Sequence, residues 1–157
     1  MEVPILAGQS INDLSPRRIR LRRTAGWRKP EGAVVVSRPS CWGNPFVVRI
    51  EPNGSDPLGW YVGIHGTPNR LGGYHNDRRD AVTAAVKTFE RWLYGGNNHG
   101  MSSLRDRRDW MLDNRATLAG RSLCCWCKPE DPCHADVLLQ FAASIPTNPT
   151  LTGVPDA

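Results

Sequence analysis

The sequence predicts an α/β domain: one compact unit in which a small mixed sheet is covered by helices. Three observations carry that expectation. Alternating and continuous apolar runs of strand length fill the first half. Two long stretches with helical spacing follow, and a last apolar run at Leu123 leads straight into a terminal helical pattern. At 157 residues the chain has room for one real core and gives no reason for two.

Residues 1–16 show little periodicity and read as a flexible arm ahead of a domain over residues 17–143. Arg18-Ile19-Arg20-Leu21-Arg22 alternates with period two, apolar on one face and guanidinium on the other. An edge strand kept soluble by arginine fits this pattern, and so does an anion-binding strip of Arg18, Arg20 and Arg22. Ala33–Val36 is a continuous apolar run expected as a central strand buried on both faces. It ends in RPSCWGNPF, a rigid loop by its Gly, Asn and two Pro residues. There Trp42 and Phe46 either plug the sheet edge or offer a stacking platform, with Asn44 and Arg38 beside them as ligand-binding groups.

Val47–Ile50 and Trp60–Ile64 read as strands, whereas HGTPNRLGGYHNDRR is too irregular to assign, and its His65 and His75 read as solvated. Asp77–Tyr94 is the clearest helix, with an apolar stripe through Val82, Ala85, Val86, Phe89, Trp92 and Leu93, an aspartate at its start and Gly95-Gly96 at its end. A second helix is expected from near Ser103, with Asp106 as capping partner, to Gly120. Leu104, Met111 and Leu118 would form its buried seam, and its mixed charges a solvated face of ion pairs. After Ala143 the Pro- and Thr-rich residues 144–157 read as a disordered tail.

The chemistry concentrates in SLCCWCKPEDPCHADVLLQF. Leu123–Trp126 reads as a short buried strand, on which Cys125 and Cys127 point the same way. Asp131-Pro132 is a good helix start and would put Cys133, His134 and Asp136 in the first turn. Three readings stay open. Cys125, Cys127, Cys133 and His134 could bind zinc, although neighbouring ligands on a helix diverge by about 100°. Cys133 could instead be an activated thiol at a helix N-terminus, with His134 and Asp136 as catalytic partners. Or the cysteines could simply pack as small buried hydrophobes.

Four of the five cysteines lie within ten residues, which argues against a disulfide framework and for a reducing, cytoplasmic setting. No apolar run is long enough to cross a bilayer, and the N-terminus lacks a secretory pattern. The net charge of +5 comes chiefly from arginine and suits phosphate-bearing partners.

RRTAGWRKPEGAVVVSRPSCWGNPF followed by LCCWCKPEDPCHADVLL resembles domain-of-unknown-function family 4326 over about residues 18–142. Its pattern couples an RxxGWRxPEGAVxVxRPxxWGNPF block to an LxCWCxPxxCHxDVL block, and Ser37 stands where Gly is expected. The resemblance implies a small intracellular domain of the kind frequent in bacteriophages and actinobacteria, hence the host cytoplasm if phage-encoded. It also implies a shared fold and a meeting of the two blocks in space. It carries no established activity.

Two functions follow as expectations. One is a nucleotide- or nucleobase-processing enzyme whose pocket is shared by the RPSCWGNPF loop and the Cys–His corner, with Asn44 and His134 lining it together. The other is a non-catalytic module binding nucleic acid or a host protein, with zinc in a structural role.

Overall fold

Parallel pairing brings the two ends of the domain together. The computed structural model describes residues 15–51 and 59–144. In chain order it contains β1 (Arg18–Arg20), β2 (Val34–Val35), β3 (Phe46–Ile50), β4 (Trp60–Ile64), β5 (Arg70–His75), α1 (Arg78–Gly95), α2 (Ser102–Asn114), a 3-10 turn (Arg115–Leu118), β6 (Leu123–Cys125) and α3 (His134–Ala143). The strands form two sheets, a parallel one in the order β1-β6-β2 and an antiparallel meander β3-β4-β5. The expected arm and tail lie, apart from residues 15, 16 and 144, outside the described residues. No helix among the described residues is long and apolar enough to cross a membrane.

The late strand β6 is central, with Leu123 paired to Arg18 on one side and Val34 on the other. This corrects the expectation for Ala33–Val36: β2 is an edge strand, and Val35 is 37% exposed. Both faces of the parallel sheet are nonetheless used. Leu123, Cys125 and Val36 face the main core, while Leu21, Ala33 and Cys124 form a small second cluster closed by Ile19 and Trp27. All three strands run the same way, so their carboxyl ends share one edge. Open parallel sheets place their ligands there.

Helix α1 packs on the antiparallel meander and against α3. Asp77 accepts the Asp80 N–H at 2.9 Å, and Gly96, left-handed at φ 72°, returns its own N–H to Trp92 O. The buried face is Ala81, Ala85, Phe89, Trp92 and Leu93. Burying each of the larger side chains contributes about 1.5–3 kcal/mol. Leu104, Met111 and Leu118 form the buried seam of α2 and its 3-10 extension, as their heptad spacing predicts.

Two expectations for α2 need correction. Its N-cap is Met101 with no side-chain cap bond, so Asp106 does not serve there. The cations of its polar face are not simply laced to carboxylates either. Arg107 donates to Ser40 O, Cys41 O and Gly43 O, Arg108 to Trp92 O and Leu93 O, and Arg115 to Phe141 O. Guanidinium groups thus donate to carbonyls at loop bends and helix ends.

Strand β5 lies in the stretch left unassigned from sequence. Between the pairs Trp60↔His75 and Val62↔Leu71, two steps on β4 correspond to four on β5. The surplus is a bulge at Gly72-Gly73, with Gly72 at φ 72°. Glycines at the bulge removed the alternation by which a strand is recognised.

The RPSCWGNPF loop is tightly closed. A Cβ on Gly43 would meet Arg38 Cγ and N at 2.8 Å and Arg38 Cα at 3.0 Å. Two of those atoms are backbone and cannot swing aside. Gly43→Ala is therefore expected to cost about 1–3 kcal/mol, as overpacking does. Thermal unfolding followed by circular dichroism checks it, and an unchanged melting temperature would contradict the loop geometry.

Candidate functional site

At the carboxyl end of β6 the chain turns through Lys128–Asp131 and re-enters as α3. The helix begins two residues later than Asp131-Pro132 suggested: its N-cap is Cys133, extended at φ −143° and ψ 138°, whose Sγ accepts the Ala135 N–H at 3.4 Å. That displacement removes the difficulty of adjacent ligands on a helix. Cys133 lies outside the helical turn, so its side chain can swing toward that of His134, and Sγ lies 3.8 Å from His134 Nδ1.

The ligand atoms of Cys125, Cys133 and His134 all lie within 4.8 Å of one another and could hold a metal ion. All three residues are buried. Cys127 Sγ stands 3.6 Å from Cys125 Sγ. Tetrahedral zinc with Zn–S near 2.3 Å separates two sulfurs by about 3.7 Å, so this spacing suits a shared ion. The histidine is set for the same task. Its Nε2 is 2.8 Å from Val36 O, an acceptor only, so Nε2 carries the proton and donates. Burial lowers the His134 pKa and keeps the ring neutral, partly opposed by the charge at Cys125. The lone pair of Nδ1 is then left for a cation. A ligating imidazole held through its other nitrogen by a backbone carbonyl is the usual supporting arrangement.

The Cys125 pKa is drawn far down by S–H donation from Cys127 and Cys133. Cys127 is pushed up to about 11, chiefly by its hydrogen bond to Cys125, and Cys133 is pushed up by the same partner.

The two sequence blocks meet at this corner, through the His134–Val36 bond and through Arg38. Partial burial lowers the Arg38 pKa, while negative charge at Cys125 and Cys127 raises it. Its guanidinium Nη1 donates to Asn44 O at 2.9 Å. The other candidates of that loop are engaged in packing. Asn44 accepts the Phe46 N–H at 2.8 Å and donates to Ala85 O at 3.3 Å. Phe46 is 2% exposed against Trp92 and His99, and Trp42 is 5% exposed against Trp110. Neither ring presents an open face.

The arginine strip divides. Arg18 donates to the Lys128, Pro129 and Asp131 carbonyls and pairs with Asp136 at 2.9 Å, so it latches the turn ahead of α3. Asp136 is accordingly an ion-pair partner on the surface of α3. Arg20 and Arg22 stay exposed, joined by Arg23, whose guanidinium lies 4.9 Å over the Trp126 ring. Trp126, expected at the end of a buried strand Leu123–Trp126, is instead 45% exposed, since β6 ends at Cys125. Period-two alternation was the available signal, since it places Trp126 opposite its neighbours Cys125 and Cys127.

A sequence profile for a domain of unknown function, DUF4326, matches residues 19–144. The chain belongs to the DUF4326 family. No curated protein and no solved structure matches it significantly. In this member of DUF4326 the matched span runs from β1 through α3 and so contains the whole Cys–His corner.

Proposed function

We propose that this DUF4326 domain is a metal-stabilised module that binds single-stranded nucleic acid. Cys125, Cys127, Cys133 and His134 hold one zinc ion in a structural role. Four protein donors with buried side chains at three of them suit a closed site, whereas catalytic zinc keeps one position open. The observation that carries the binding reading is the surface beside them. Arg20, Arg22, Arg23 and Trp126 surround a shallow depression of about 500 Å³ with no carboxylate among the described residues that line it. Cations that track phosphates around an exposed ring on which a base stacks are what such binding requires. Because Trp126 sits between two of the ligands, metal binding would hold its backbone still. A nucleotide-processing pocket between the RPSCWGNPF loop and the corner has less support, since Trp42, Phe46 and Asn44 are engaged in packing.

Fluorescence anisotropy with oligo-dT and oligo-U tests this. Replacing Arg20, Arg22 and Arg23 together by Gln is expected to weaken binding and flatten its salt dependence by roughly 0.7 in log–log slope per lost phosphate contact. Trp126→Ala should cost about 1–3 kcal/mol of affinity. Wild-type protein that binds neither oligomer at low salt would overturn the reading.

A further inference from the structure

The β5 bulge faces helix α1 across a cavity of about 320 Å³. That volume is at the lower end of the range for small-molecule sites. It lies outside the Cys–His corner and the basic edge. Gly72 and Gly73 line one wall, and nothing stands within 4 Å of a Cβ built on either. The sheet backbone is thus bare toward the cavity, as it is where a ligand approaches closely. The opposite wall includes Trp92, only 1% exposed, whose Nε1 is buried without an acceptor among the described residues. Arg91, His75, His99, Thr88 and Asn97 make up the polar lining, and no carboxylate among the described residues is part of it. His99 holds φ at 47°, uncommon for a residue other than glycine. Its ring packs on Phe46 at 5.7 Å, so the strained residue is tied to the core.

We propose that this cavity binds a small molecule carrying one anionic group, with Arg91 holding the anion and the bare Gly72-Gly73 backbone admitting its body. Phosphate monoesters and carboxylates share that chemistry.

Two-dimensional proton–nitrogen spectra of the full chain, with the Trp92 indole signal assigned through Trp92→Phe, provide the test. The probes are AMP, adenosine and benzoate. AMP or benzoate should shift the Trp92 indole resonance saturably below about 10 mM, an affinity in the weak range expected for a first probe. Saturation by AMP alone identifies the anion as a phosphate, and saturation by benzoate alone as a carboxylate; either supports the site. Adenosine should bind roughly tenfold more weakly than AMP, and Arg91→Gln should remove that advantage. Gly73→Leu should fill the cavity and abolish the shift while the metal content stays unchanged. No response of Trp92 to either anion, or an unaltered response in Gly73→Leu, would overturn the proposal. Binding at the basic edge is read separately, at the Trp126 indole.

Discussion

Stripping the metal with a strong chelator is expected to lower the melting temperature by roughly 10 °C or more. An ion that binds only the folded state contributes about 4 kcal/mol when its free concentration is a thousandfold above Kd. For a domain of this size each kilocalorie moves the midpoint by roughly 2–4 °C. Cys125→Ser should lose both the metal and that stability, because Cys125 lies among the other donors on the central strand. Cys41→Ser should change neither, since Cys41 is exposed and outside the cluster. Elemental analysis of protein purified without added metal is expected to find one zinc per chain. Metal-free protein whose melting temperature is indifferent to chelator and to Cys127→Ser would leave the thiols as packing groups, and the structural-zinc reading would fall.

Phe46→Ala is expected to destabilise the domain by about 3–5 kcal/mol, a large fraction of ordinary domain stability. Phe46 is 2% exposed and meets Trp92 and His99 edge-on at 5.8 and 5.7 Å. Truncation would leave a void bounded by rigid rings that cannot collapse into it. Urea denaturation at equilibrium measures the effect. A cost below about 1 kcal/mol would mean that the ring is not a core element, because exposed positions fall in that range. The same experiment separates packing from ligand stacking, since a stacking platform could be removed with little loss of stability.

Residues near one another in sequence were the readable part of this protein. Helix α1 announced itself through its apolar stripe, Asp77 and the glycine pair at its end, because helical geometry relates residues only three or four apart. The sulfur-rich corner was readable for the same reason: strand alternation aims Cys125 and Cys127 together, and Cys133-His134 follow after one turn. The division of the arginine strip could not be read. Arg18 and Arg20 are equivalent on a period-two strand, yet Arg18 is drawn to carbonyls and a carboxylate more than a hundred residues away.

By itself, then, the sequence determined the α/β class, the seams of α1 and α2, and the identity of the four candidate donors. Tertiary structure alone decided that β6 is the central strand, that Val36 O holds the ring of His134, that Phe46 is enclosed, and that a cavity opens beside Gly72-Gly73. Each of these depends on which distant strand or helix supplies the neighbouring surface. Periodicity reports which face of an element is apolar. It does not report what that face meets, because pairing partners are selected by the packing of the whole core.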